Sequence, residues 1–370
     1  MKSMYWSCVG CGVLWAVLQG ATCSQGAEVR ADDAPRQIDI FVGGDGGYHT
    51  YRIPAVVITR DKTLAAFCEG RKTSSDDHGD VDLVLRRSTD GGATWEPMQL
   101  VYEEGGAAKI TVGNPCPVVD ASTGAIWLPF TRNNQQVLMV HSRDDGKTWS
   151  KPADITTDVK KPDWDWYATG PGHGIQLTDG RLVIPSDCRD AGRSGGWDTR
   201  GRSLVFFSDN HGATWKLGGV TAAGMNECEV VQRADGSLLL SMRNYFGKNQ
   251  RAFAVSSDAG LSWSEPKLHE QVYCPTCQSS IARYSLGPRN RILYSGPGGK
   301  GRNGMTVRLS YDEGATWPVA KTIHDGSSAY SDLVVFPDGS IGCLYERDGY
   351  RKITLAKFSL AWLTDGEDRR

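Results

Sequence analysis

Six polar side chains, Arg52, Asn114, His173, Glu227, Gln278 and Tyr330, open six short runs rich in apolar residues. Arg71, Arg132, Arg243 and Glu346 close the runs that come next, and Arg302 and the stretch Asp76, Asp77, His78 fall in loops just beyond such runs. A guanidinium keeps its charge at any working pH, and its planar fork matches a carboxylate. Gathering several of them around one point is costly unless an anion lies among them. If these residues converge, they fit a small molecule bearing a carboxylate, flanked by Asp76 and the Tyr330–Glu227 pair. The competing reading is a plug of arginine–carboxylate pairs, but arginines outnumber the carboxylates nearby.

A repeat decides whether they converge. Ser-x-Asp-x-Gly-x-Thr-Trp occurs at 88–95, 142–149 and 310–317, with looser copies at 208–215, where Asn210 replaces the acid, and 256–263, where Ser262 replaces the threonine. Successive box tryptophans are 54, 66, 48 and 54 residues apart. Such a period belongs to units that bury their apolar faces only against neighbours. Each box follows a short apolar run, and two more runs separated by a turn signal lie upstream, near residues 62, 123, 179, 235, 289 and 338. Six units of four strands predict an all-β chain, a six-bladed β-propeller of four-stranded antiparallel blades. The last unit lacks a box, and the segment around 38–42 is expected to supply its outer strand. In this architecture the first strand starts and the second strand ends at one mouth of the central channel. The boxes lie at the opposite face, so their acids are assigned to turns.

The 370 residues are 39% hydrophobic with a formal net charge of −2 and no basic run, which argues against nucleic acid as a partner. After Lys2 no charge appears until Glu28, and residues 9–18 form an apolar core followed by small residues. Residues 1–26 are therefore read as a secretory signal peptide, and 27–370 as the propeller. The expected localisation is secreted, extracellular or periplasmic, without an integral span after cleavage. Seven cysteines remain outside the leader. Cys274-Pro-Thr-Cys277 has no second pair to complete a zinc site, leaving a loop disulfide or two thiols. Cys68, Cys228 and Cys343 read as small buried apolar groups.

The residues also carry a family pattern. Tyr51-Arg-Ile-Pro54 followed by several boxes resembles the exo-α-sialidases, and the similarity extends through Phe67-Cys-Glu-Gly-Arg71, Asp76-Asp-His78, Asn114-Pro-Cys-Pro117, Gly170-Pro-Gly-His173, Glu227-Cys228, Ala329-Tyr-Ser-Asp-Leu333 and Gly342-Cys-Leu-Tyr-Glu346. It covers about residues 40–360, in order. The resemblance implies that Arg52, Arg243 and Arg302 form an arginine triad, with Arg308 a rival for the third place. It implies Arg71 near the sugar's O4, Asp76 as acid/base, Tyr330 as nucleophile and Glu227 as its partner. Glu346 would hold Arg52, Glu69 would support the arginines, and Asn114 and Gln278 would touch the sugar. His173 reads as a satisfied core histidine, and the aromatic stretch 163–167 as a rim. The implied activity is retaining hydrolysis of terminal sialic acids from glycoproteins, glycolipids or oligosaccharides. The alternatives are a non-catalytic sialic-acid-binding propeller or a trans-sialidase. A tyrosine nucleophile is a recognised exception among glycosidases. It suits an anomeric carbon bearing a carboxylate, because a neutral phenol avoids the repulsion an anionic nucleophile would meet. No cofactor or metal enters these steps.

Overall fold

The computed structural model describes residues 34–106, 108–192, 194–285 and 289–368. The leader read over 1–26 lies outside them. The described chain is all-β apart from three helices of four residues and one short 3-10 turn. Its strands form a propeller-like arrangement.

Four sheets stand apart, each antiparallel and in chain order. The first holds Thr50–Ile58, Leu64–Arg71, Val81–Ser88 and Gln99–Tyr102, and the fourth holds Met225–Gln232, Leu238–Asn244, Gln250–Ser256 and Lys267–Tyr273. In the second and third sheets the innermost strand is broken. Val112–Gly113 and Val118–Val119 flank Asn114-Pro-Cys-Pro117, and Trp164–Thr169 and Ile175–Gln176 flank Gly170-Pro-Gly. Proline has no N–H for the ladder, and Asn114 and Gly170 have φ of 59° and 62°. The unbroken runs expected to open at Asn114 and His173 are corrected accordingly.

The remaining strands do not separate into two further four-stranded sheets. They form one seven-stranded sheet. Val319–Val335 runs 17 residues without a turn, pairing with Asn303–Ser310 over its first part and with Ile341–Arg347 over its last. Separate blades are thus four, not six, because one extended strand serves two neighbours. The closing strand appears as expected: Arg36–Val42 pairs antiparallel with Lys352–Phe358.

The core lies between sheets. Val57, Phe67 and Leu85 of the first sheet pack with Ile126, Leu128 and Phe130 of the second. Phe41, Leu344 and Leu355 pack with Val56, Leu64 and Val84, joining the last sheet to the first. Each such side chain contributes about 1.5–3 kcal/mol when buried, and it does so only against the neighbouring sheet.

The boxes are turn devices. In the second, Ser142 Oγ donates to Asp144 Oδ1 (2.8 Å) and accepts from Gly146 N (2.8 Å), while Thr148 N and Oγ1 donate to the two Asp144 oxygens (2.9 and 2.6 Å). These bonds hold Asp90, Asp144 and Asp258 at a pKa of about 2. The stability they contribute is therefore present above the ordinary carboxylate value of 3.8 and is lost as pH falls toward 2. Asn210 keeps the geometry by reversing one bond, its Nδ2 donating to Thr214 Oγ1 (2.9 Å). Asp144→Asn is therefore expected to fold at neutral pH and to show a shallower stability loss than the parent between pH 4 and 2. Chemical denaturation across that range measures both, and an Asn variant as damaging as Asp144→Ala would refute the account.

Candidate active site

Opposite the boxes, strand starts and second-strand ends bring the predicted residues together. Thr50–Ile58 delivers Arg52, Leu64–Arg71 delivers Arg71 and Glu69, Met225–Gln232 delivers Glu227, Leu238–Asn244 delivers Arg243, Val319–Val335 delivers Tyr330 and Ile341–Arg347 delivers Glu346. Tyr330 is the centre. Its hydroxyl donates to Glu227 Oε1 in a short hydrogen bond, and Arg243 Nη1 donates to the same hydroxyl (3.0 Å) and to Glu227 Oε2 (2.7 Å). The guanidiniums of Arg52 and Arg302 lie 5.2 and 5.4 Å from the centre of the Tyr330 ring. Arg308 stays in its strand, half-buried, paired across to Tyr294 and Ala320. Arg132 is drawn away to Glu104 (2.6 Å).

The supporting carboxylates are placed as expected. Glu346, fully buried, accepts from Arg52 Nε (2.8 Å) and Nη2 (3.3 Å). Glu69 Oε2 accepts from Arg71 Nη2 (2.7 Å) and Nε (3.0 Å), and its other oxygen accepts from Asn114 N (2.9 Å). Gly113 is required there, since a Cβ would come within 2.3 Å of Glu69 Oε1. Burial disfavours the charge of Arg52, but Glu346 more than offsets it and holds the guanidinium above its ordinary pKa. Burial and the Glu227 carboxylate push the Tyr330 phenol well up, against Arg243 and Arg302. The resting state is a neutral phenol donating to its neighbour.

The remaining predicted residues have other partners. Asp76 is exposed, its backbone N–H donating to Ser74 Oγ (3.1 Å). Asp77 takes the arginines instead: Arg71 Nη1 lies 2.9 Å and Arg52 Nη1 3.5 Å from Oδ1. Burial raises the Asp77 pKa, but the two guanidiniums prevail and hold it down. Asn114 Oδ1 accepts from Thr131 Oγ1 (3.0 Å) and Asn134 Nδ2 (2.9 Å). Gln278 is fully buried and bonded to protein groups beneath the site. His173 donates into an axial hub, its Nδ1 2.6 Å from Asp332 Oδ1, and is raised to about 9, the carboxylates of Asp332 and Glu229 prevailing over burial. Three donor atoms of His173, Glu229 and Asp332 lie within 4.8 Å of one another. Both oxygens of each carboxylate already accept protein hydrogen bonds, so the hub reads as a hydrogen-bonded ion cluster.

Four neighbours escaped the sequence reading. Tyr350 lies 4.1 Å from the Arg52 guanidinium, and its hydroxyl accepts from Arg302 Nη1 (3.1 Å). The polar turn after Glu346, on the correct face, was the available signal. Asp187 is buried beside Glu227 with one oxygen on Asn226 Nδ2 (2.7 Å), and burial together with the Glu227 charge pushes its pKa well up. Trp197 stacks on Tyr245, which lies 5.1 Å from the Arg243 guanidinium. Trp166, from the predicted aromatic stretch, meets Trp197 edge-on at 5.6 Å.

Comparison with known proteins places this geometry. A model of the BNR repeat-like domain matches residues 62–343. The chain is 34% identical to a sialidase of Micromonospora viridifaciens, over 94% of its own length and 58% of that protein's. It is 32% identical to an exo-alpha-sialidase of Aspergillus fumigatus over 86% of each chain. It is 30% identical to sialidase-2 of Mus musculus, over 85% of this chain and 93% of the other. Among solved structures, the Hadza microbial sialidase Hz136 superposes with a TM-score of 0.82 at 30% identity, covering 88% of this chain and 69% of that one. This chain thus spans little more than half of the Micromonospora relative.

Proposed function

The chain belongs to the exo-α-sialidase family with BNR repeats, and from that membership we propose that it hydrolyses terminal α-linked sialic acids of glycoproteins, glycolipids or oligosaccharides with retention. The observation that carries this is Tyr330 bonded to Glu227 and Arg243 with Arg52 and Arg302 against its ring. Arg52, Arg243 and Arg302 hold the sugar carboxylate. Glu227 takes the phenolic proton as the Tyr330 oxygen bonds to the anomeric carbon, and the glycosidic bond breaks toward a leaving oxygen protonated by Asp76. Water, deprotonated by Asp76, then displaces Tyr330, which recovers its proton from Glu227.

We assign the acid to Asp76 because Asp77 is engaged by two guanidiniums, which hold its carboxyl down. Asp77 is 73% exposed and yields its place on Arg52 and Arg71 at small cost when a carboxylate arrives. We also read the seven-stranded sheet as two blades sharing one strand, which makes the ring six-bladed. The support is a cluster joining Leu293, Met305 and Val307 to Leu333, Ile341 and Cys343. The apolar leader supports secretion, and no described helix is long and apolar enough to cross a membrane.

The test is release of free sialic acid from an aryl α-sialoside and from a natural sialyl oligosaccharide. Asp76→Asn should lose about 10²–10⁴-fold on the oligosaccharide and far less on the aryl sialoside, whose leaving group departs without a proton. Asp77→Asn should mainly change KM. Binding of sialic acid without turnover of either substrate would select the binding-propeller reading, and transfer to a sugar acceptor the trans-sialidase one.

A further inference from the structure

Tyr330 must place its hydroxyl within hydrogen-bond reach of Glu227 from a backbone that lies on the channel wall. Three side chains from elsewhere in the chain fix that backbone. Glu346 Oε2 accepts from Tyr330 N (3.1 Å), and Ser280 Oγ accepts from Leu333 N (3.0 Å). Between them, Gln278 grips Ser331 on both sides. Its Oε1 accepts from Ser331 N (3.0 Å) and its Nε2 donates to Ser331 O (3.0 Å).

The amide is itself held in one orientation. Gln278 Nε2 also reaches Glu229 Oε1 (3.2 Å) and Pro171 O (3.4 Å). Glu229 is anchored by Ser280 Oγ (2.7 Å) and Ile281 N (2.9 Å), and Ser280 Oγ also reaches Asp332 Oδ1 (3.2 Å). Asp332 accepts from Val56 N (2.6 Å) and meets His173. Gln278, Ser331, Glu229 and Asp332 are all fully buried, so no water replaces a lost partner. The hub draws on the first sheet, the third-sheet segment, the fourth sheet and both parts of the long strand's sheet, and Gln278 is its contact with the residue beside Tyr330.

We infer that Gln278 is a positioning residue for Tyr330, acting through the peptide groups of Ser331 rather than by touching the sugar. An amide suits this place because it offers a donor and an acceptor side by side without charge. Leucine supplies neither, and glutamate supplies the pair only while protonated. A carboxyl at 278 would face Glu229 from the fourth sheet, with Asp332 on the long strand and His173 from the third-sheet segment behind it.

The inference rests on the sialidase reading for its kinetic arm alone. Gln278→Leu, Gln278→Glu and the parent would be compared for kcat and KM on a sialoside, for affinity toward free sialic acid, and by crystallography. The expected result for Gln278→Leu is a kcat loss of about 10–100-fold with KM and sialic-acid affinity within about threefold, and a Tyr330 hydroxyl displaced from Glu227. Gln278→Glu should recover relative activity as pH falls, whereas the Leu variant should not. Unchanged kcat in both variants overturns the inference. So does an equal loss of kcat and sialic-acid affinity, which would mark a sugar contact or a general packing role. If the parent hydrolyses no sialoside, the functional reading fails, and the position of Tyr330 in the variant crystal still decides the inference.

Discussion

Tyr330→Phe will keep the fold and the affinity for sialic acid and will lose turnover at least about 10³-fold. The variant removes one oxygen and leaves the ring, so Arg52 and Arg302 keep their places 5.2 and 5.4 Å from its centre. Glu227 loses the phenol but keeps Arg243 at 2.7 Å, and no buried charge is orphaned. The stability cost should therefore stay near one net hydrogen bond, about 0.5–1.5 kcal/mol. On the proposed mechanism the rate cost is large because the attacking oxygen is gone. Glu227 is bridged to Arg243, and its charge would meet the substrate carboxylate. Rapid quenching of the parent during turnover, followed by peptide mass spectrometry, should find the sugar on Tyr330 and none in the variant. Turnover by the Phe variant at the parent rate would remove Tyr330 from the chemistry.

The architecture was legible where chemistry repeats. Five boxes, each with its own serine and tryptophan and four of them with the acid, marked the turns, and the segment at 36–42 pairs with Lys352–Phe358 in the unit that has no box. Arg52, Arg71 and Arg243 were legible too, since strand ends fix which way a side chain faces, although Arg132, at a matching strand end, turns to Glu104. Loop residues were not. Asp76 and Asp77 are adjacent in one irregular loop, and only three-dimensional packing turns Asp77 onto Arg71. Gln278 was expected to open a strand, which begins instead at Ser280, and polarity near a strand start does not say whether an amide faces the sugar or a neighbouring peptide. The merging of two units at Val319–Val335 likewise leaves no mark, because residues 325–328 are small and polar whether they form a loop or continue a strand.

Glu346→Leu will be the most destabilising single change at the site, and it will also abolish activity. Glu346 is fully buried and binds four groups: Arg52 Nε and Nη2, the backbone N–H of Ile53 and that of Tyr330. Removing one partner of a buried ion pair costs about 3–5 kcal/mol, because the other charge is stranded. Release of backbone strain at the strand start offsets part of that cost but disturbs the site. Ile53 has φ of 61°, a conformation a β-branched residue adopts only under constraint, worth about 1–3 kcal/mol. The bond from Ile53 N to Glu346 Oε1 (2.9 Å) is part of that constraint, and once it is gone the strand start can relax and carry Arg52 away from Tyr330. The same carboxylate thus orients both Arg52 and the backbone of Tyr330. Glu346→Gln should lose less stability, since its amide oxygen still accepts while the charge is gone. In an Arg52→Met background Glu346→Leu should cost appreciably less than alone, because no cation is then stranded. Thermal and denaturant unfolding of the four proteins measures this coupling, and additive losses would show that the pair acts as two independent packing residues.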